Sequence, residues 1–249
     1  MSSLATKNLT LSIADHVLVN ELTLQFNPGE CWAVVGPNGS GKTTLLHTLA
    51  GLRQVQQGVV SLNDKALEKH TARERAQKIG LLLQEENSIF HGTVTDYIQL
   101  GLFSQGTWLT GLSGAAPQAH AAMKPMDIAS LADRLWNSLS GGERQRARLA
   151  QLLAQAPDIF LLDEPLLHLD LRHQLAVLEC FQALARDEGK TVVMVLHDAL
   201  WASQFCDHTL MLYDDGICRF GPVASLLNKD NLARLYGCSM DRFEFHLPA

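Results

Sequence analysis

The chain has 249 residues, 47% of them apolar, with a net charge of −6 and a pI near 5.9. That length allows one large domain or two small ones, and the acidic balance argues against a general nucleic-acid binder, so no nucleic acid is expected as a partner. Five cysteines (Cys31, Cys180, Cys206, Cys218 and Cys238) without a Cys-x-x-Cys pair favour reduced thiols over a disulfide framework or a zinc site. The ten histidines are scattered without ligand spacing. Residues 1–8 lack the apolar core of a secretory signal. No apolar run approaches the roughly 18–20 residues needed to cross a bilayer, so a role at a membrane would require docking through another chain.

Residues 9–26 alternate apolar and polar side chains around a polar break at Asp15-His16, which predicts a hairpin. Pro28-Gly29-Glu30 is a turn, residues 31–35 a short buried strand, and residues 36–41 a glycine loop. A helix is predicted over 43–52, ending near Gly51, and a second buried strand over 79–83. Residues 101–125 are rich in Gly, Ala, Ser and Pro, nearly uncharged, and carry Trp108; they read as loop and short helix within a subdomain. The run 143–154 is a strong helix of Arg, Ala, Leu and Gln. Residues 159–162 and 191–196 are two more buried strands, with a helix over 173–186 between them. Strands alternating with helices imply a mostly parallel sheet with right-handed crossovers. No internal repeat is visible, so a single catalytic unit is expected.

Gly36-Pro37-Asn38-Gly39-Ser40-Gly41-Lys42-Thr43 fits the pattern G-x-x-x-x-G-K-S/T with a strand before it and a helix after it. Glycines there let backbone N–H groups turn toward phosphate oxygens, and the helix N-terminus adds partial positive charge. Lys42 is placed to reach the β- and γ-phosphates, the Thr43 hydroxyl to ligate Mg²⁺, and Thr44 to extend the nucleotide contact. The run Ile159-Phe160-Leu161-Leu162 delivers two carboxylates, Asp163 and Glu164, at the carboxyl end of a buried strand. Asp163 suits the Mg²⁺ shell and Glu164 the polarisation of an attacking water. Ser140-Gly141-Gly142 at a helix start could bind an anion. Ser140 followed by Glu143 also has capping-box spacing, and a capped helix alone would explain it.

Leu139-Ser140-Gly141-Gly142-Glu143 resembles the signature of ABC ATPases. The resemblance spans roughly residues 9–221 and five motifs in order. It implies that Gln84 is the Q-loop glutamine, sensing γ-phosphate and Mg²⁺ and relaying to a membrane partner. It further implies that Leu169-Asp170 is the D-loop and that His197 is the switch histidine positioning the catalytic carboxylate. Glu164, His197 and Gln84 are then the catalytic set. Gly36 to Thr44, Ser140, Gly141, Gly142 and Asp170 contact ATP, and Thr43, Gln84 and Asp163 hold Mg²⁺. The implied fold is an α/β P-loop NTPase core, a mostly parallel sheet with an N-terminal antiparallel β part, over 1–84 and 157–249. An inserted α-helical subdomain covers 85–156, and its groove receives a helix of the transmembrane partner.

Proteins of this kind pair head to tail, each ATP lying between one P-loop and the other copy's signature. The implied partners are a second copy, a transmembrane permease and, indirectly, a periplasmic or surface binding protein. The implied location is peripheral, on the cytoplasmic face of the inner (plasma) membrane. Family members place an aromatic near the early hairpin to stack on adenine. This chain has Ser12-Ile13-Ala14 there, with Ile13 or His16 as substitute, so weaker adenine binding or relaxed base preference is expected.

The run from Asp163 to Gln174, the pattern around His197-Asp198, and residues 231–237 are similar to importers of iron-siderophores, haem and cobalamin. A metal-chelate importer is expected, cobalamin slightly ahead, with the cargo contacting the membrane subunits and none of the histidines. The alternative is a soluble ABC ATPase of translation or DNA repair, though the usual second ATPase unit or long coiled coil is missing. A P-loop kinase or GTPase is opposed by the signature and the Asp163-Glu164 pair. Cys180, Trp201 and Phe243-Glu244-Phe245 are expected to be core or dimer-edge packing.

Overall fold

The computed structural model describes residues 2–84, 90–105 and 116–239. Trp108 and Phe243-Glu244-Phe245, named above, and the first residues of the 85–156 segment lie outside the described residues. The long hairpin consists of β1 (Leu4–Ile13) and β2 (His16–Phe26), paired antiparallel from Leu4–Phe26 to Ile13–His16 with shifts of register between Thr6 and Leu9, Leu9 and Leu11, and Leu11 and Ser12. The turn is tight because Ala14 takes a left-handed φ of 50°. Then come β3 (Cys31–Val35), α1 (Lys42–Leu49), β4 (Gln57–Leu62), β5 (Lys65–Ala66), α2 (Ala72–Lys78) and β6 (Ile79–Leu82). Next are α3 (Val94–Gln99), α4 (Ala116–Met123), α5 (Gly141–Gln155) and β7 (Ile159–Leu162). The remainder is α6 (Leu171–Glu188), β8 (Thr191–Val195), α7 (Ala199–Phe205), β9 (His208–Leu212), β10 (Cys218–Pro222), α8 (Val223–Leu226) and α9 (Lys229–Tyr236).

Among the described residues these strands form two sheets, β2-β1-β4-β5 and β10-β9-β3-β8-β7-β6. The first is antiparallel. In the second, β9, β3, β8, β7 and β6 run parallel and β10 closes the edge antiparallel. The period of two splits each central strand between two cores, as expected of a sheet covered on both faces. Trp32, Val34, Val193 and Val195 face α1 and the hairpin sheet in one cluster. Cys31, Ala33, Val35, Val192 and Met194 join Phe160 and Phe181 on the other face. That second core continues into the helices between β6 and β7, where Tyr97 stacks on Trp136 at 3.8 Å and Phe90 meets both rings edge-on.

The helix expected over 43–52 is shorter. It stops at Leu49 because Gly51 turns left-handed (φ 71°) and the Leu52 N–H donates back to the His47 carbonyl at 2.9 Å, closing the end. The helix expected from Glu143 starts two residues earlier, at Gly141, because Ser140 caps it. The Ser140 N–H donates to Glu143 Oε2 at 2.7 Å and the Glu143 N–H to Ser140 Oγ at 3.3 Å, a complete capping box.

Candidate nucleotide site

Four adjacent parallel strands, in the order β3, β8, β7 and β6, deliver the expected residues at one edge of the sheet. Each strand ends one or two residues before its functional group, Gly36, His197, Asp163 or Gln84, so the groups gather outside the carboxyl ends. The glycine loop leaves β3 and enters α1 through Gly41, whose φ of 95° is ordinary only for glycine. A Cβ on Gly41 would lie 2.8 Å from the Cβ of Leu18, and one on Gly36 would lie 2.5 Å from the Leu212 carbonyl oxygen. The loop is therefore wedged between the hairpin and the end of β9. Lys42 spans it, its Nζ donating to the carbonyls of Gly36 at 2.9 Å and Pro37 at 2.8 Å. Burial lowers the Lys42 pKa, opposed by the negative charges of Glu164, Asp163 and Asp214. An ammonium held among three carboxylates is well placed to exchange the two carbonyls for phosphate oxygens.

Asp163 is fully buried, and its backbone N–H donates to the Leu82 carbonyl at 3.0 Å, locking the end of β7 to β6. Neither of its carboxylate oxygens has a well-aligned hydrogen-bond partner, the Thr43 hydroxyl being the side-chain donor beside it. Burial raises its pKa, the nearby Thr43 hydroxyl lowers it, and Glu164 raises it again; the desolvation prevails. Ser40 Oγ, 1% exposed at the residue level, is likewise without a partner. Next in sequence, Glu164 adopts a left-handed φ of 50°, a conformation costing a non-glycine residue about 1–3 kcal/mol and concentrated at functional sites. Its Oε1 accepts from Gln84 Nε2 at 3.0 Å and lies 2.8 Å from His197 Nε2. The tautomer with hydrogen on Nε2, or the protonated ring, donates there. Gln84, Glu164 and His197, far apart in sequence, thus converge on one carboxylate oxygen.

Ser140, Gly141 and Gly142 have other neighbours. A Cβ on Gly141 would lie 3.7 Å from His168 Cβ, and one on Gly142 would lie 2.9 Å from the His168 carbonyl, whereas Gly36 faces Leu212 and Ser40 and Gly41 faces Leu18. Asp170 caps α6, accepting from the His173 N–H at 3.0 Å and lying 2.8 Å from His173 Nδ1. The backbone bond to His173 lowers its pKa against a small desolvation. Ser140–Gly142 and Asp170 are not brought onto the glycine loop within one chain. At the hairpin tip Ile13 is 48% exposed, open to a base.

The donor set fits a small hard divalent cation. Thr43 offers a hydroxyl, Gln84 retains its amide oxygen because its nitrogen is the donor to Glu164, and Asp163 offers two buried, unpartnered carboxylate oxygens. Among the described residues no three His, Cys, Asp or Glu side chains form a closed metal cage. An ion shared with substrate phosphates needs no such cage.

Residues 19–167 match the family model described as ABC transporter. The chain belongs to this family. As an ABC ATPase it binds and hydrolyses ATP. It is 35% identical over 237 residues to a probable siderophore transport system ATP-binding protein of Bacillus subtilis (strain 168), covering 95% of this chain and 86% of that one. It is 34% identical over 238 residues to the ferric enterobactin transport ATP-binding protein of Escherichia coli (strain K12), covering 95% and 88%. A metal-chelate type ABC transporter in an inward-facing conformation superimposes with a TM-score of 0.82 at 29% identity, over 95% of this chain and 90% of that one. A dimeric ATP-binding cassette in a post-hydrolysis state with ADP and Pi superimposes with a TM-score of 0.79 at 27% identity, over 88% and 98%. Among the described residues no helix of this ABC ATPase is long and apolar enough to cross a membrane.

The sequence reading missed Gln145, Arg148 and His168, which surround the signature and the loop after β7. The available signal was two polar side chains, Gln145 and Arg148, three residues apart on a helix face that also buries Ala147, Leu149 and Leu152.

Proposed function

We propose that this ABC ATPase powers an importer of a metal chelate: a ferric siderophore, haem or cobalamin, with the named relatives favouring the first. The carrying observation is the Glu164 carboxylate gripped at Oε1 by Gln84 and His197 at the mouth of the glycine loop. Both contacts fall on Oε1, so Oε2 is the acceptor offered to a water. Glu164 orients that water toward the γ-phosphate and draws its proton. Gln84 and His197 restrict the carboxylate to one orientation, and Lys42 meets the charge on the β- and γ-phosphates. Thr43, Gln84 and Asp163 would hold Mg²⁺, which when bound neutralises phosphate charge as a Lewis acid.

Two copies pair head to tail, so that Ser140, Gly141, Gly142 and Asp170 of one complete the nucleotide site of the other. The dimeric cassette that superimposes on this chain supports that reading. The assembly sits peripherally on the cytoplasmic face of the inner (plasma) membrane, against a permease that contacts the segment between β6 and β7, with a binding protein delivering cargo from outside. The test is to purify the tagged chain from detergent-solubilised membranes, identify what co-purifies, and assay magnesium-dependent ATP hydrolysis. A polytopic membrane protein at near-equal stoichiometry, with hydrolysis abolished by Glu164→Gln, supports the importer. Soluble proteins or ribosomes alone would overturn it and leave a soluble ATPase of translation or repair.

A further inference from the structure

Helix α5 starts at the signature and turns two polar side chains inward, Gln145 at 4% exposure and Arg148 at 9%. Gln145 Nε2 donates to the Pro165 carbonyl at 3.1 Å and reaches that of Glu164 at 3.4 Å. Its Oε1 accepts from Arg148 Nη1 at 3.0 Å, and Arg148 Nη2 donates to the Leu83 carbonyl. One pair of side chains on one helix therefore holds the backbone beside Gln84 and the backbone of Glu164 itself. The two functional side chains meet 80 residues apart in sequence, at 3.0 Å. At the start of the same helix, Gly142 lies under the His168 carbonyl, so no other residue fits there without displacing the loop that carries Glu164.

We propose that Gln145 and Arg148 are positioning residues that make the Gln84–Glu164 geometry follow the signature helix. A shift of α5 when Ser140–Gly142 engage the partner's nucleotide is delivered to both carbonyls at once. The bonds to Pro165 and between the two side chains are buried and those to Glu164 and Leu83 part-buried, so water does not readily replace them, and a carbonyl that stayed behind would lose its donor. Each copy's water-orienting carboxylate would thereby register whether its own signature is engaged on the other nucleotide. The inference rests on the roles proposed above for Glu164 and for Ser140–Gly142.

The test measures kcat, KM and Hill coefficient for ATP on the full chain, with thermal midpoints, in four variants. Gln145→Met keeps the volume without the hydrogen bonds; Gln145→Glu still accepts from Arg148 but cannot donate to the carbonyls. Arg148→Lys keeps the charge with a single donor centre, and Leu149→Ala is a packing control on the same helix. Small misplacement of a reacting group costs orders of magnitude in rate, so both Gln145 variants should lower kcat by about tenfold or more with KM within about twofold. Their Hill coefficient should fall toward one and Arg148→Lys should be intermediate, while Leu149→Ala at an equal or larger drop in midpoint keeps kcat within about twofold. If the Gln145 variants do not fold, Arg148→Lys decides: a reduced kcat and Hill coefficient at a near-wild-type midpoint sustains the proposal. Losses of kcat that track the midpoint across all variants and the control, or an unchanged kcat, overturn it. A wild-type chain without ATP hydrolysis removes the proposed roles first, and this one with them.

Discussion

Replacing Asp163 with asparagine should stabilise the nucleotide-free protein while disabling it. The carboxylate is fully buried, neither oxygen has a well-aligned hydrogen-bond partner, and burial raises its pKa against the lowering by the Thr43 hydroxyl. A buried, unsatisfied polar group costs about 1–3 kcal/mol, more when charged. Asparagine keeps the shape and removes the charge. Some of the gain is lost because Lys42 gives up one of its three negative neighbours, keeping Glu164 and Asp214. A net gain of about 1–2 kcal/mol raises the midpoint of a chain this long by about 2–8 °C.

The sign with pH follows from the raised carboxyl pKa. Over the interval from the unfolded value to the folded one, the native state binds more protons, so wild-type stability falls as pH rises. Above both values the full penalty applies; below both it vanishes. The asparagine variant should thus exceed wild type at pH 8 and lose that advantage in acid. ATP with magnesium should reverse the ranking, because only wild type supplies the anionic oxygens and gains the binding free energy. Scanning calorimetry at pH 8 and in acid, with and without MgATP, makes the comparison. A variant less stable than wild type at pH 8 without ligand, or an advantage that does not change with pH, refutes the reasoning.

Glu164→Gln should cut ATP turnover by about 10²–10⁴-fold, the range of a lost general base, and trap an ATP-bound dimer visible by size-exclusion chromatography; a monomer that turns over normally would contradict the assignment. Gly41→Ala places a Cβ 2.8 Å from Leu18 at a φ of 95°, and should cost about 1–3 kcal/mol in thermal unfolding and weaken nucleotide binding. Ile13→Tyr at the exposed hairpin tip should sharpen discrimination of ATP over GTP, measured as the ratio of their kcat/KM values. Equal ratios in wild type and variant would show that the base is seated elsewhere.

The sequence by itself determined the strands β3 and β7 to the residue, because each is a short, wholly apolar run bounded by turn or charged residues. It also located Lys42, Thr43, Asp163 and Glu164, because Gly-x-x-x-x-Gly-Lys-Thr and Asp-Glu carry their chemistry in contiguous residues, whereas Gln84 and His197, single residues at strand ends, were named only through the resemblance to ABC ATPases. Where the pattern was weaker the tertiary structure decided. β4, β9 and α3 have no strong local period and exist because β1, β3 and α5 cover their apolar faces. The left-handed turn at Gly51, rather than any change in apolar pattern, ended α1 at Leu49. Strand order lay outside the reach of sequence patterns. It places His197 and Gln84 on the same oxygen of Glu164, and it leaves Asp163 buried without a partner. The ties from Gln145 and Arg148 to the carbonyls of Pro165 and Leu83 end on backbone oxygens, which every residue possesses and no side-chain pattern reveals.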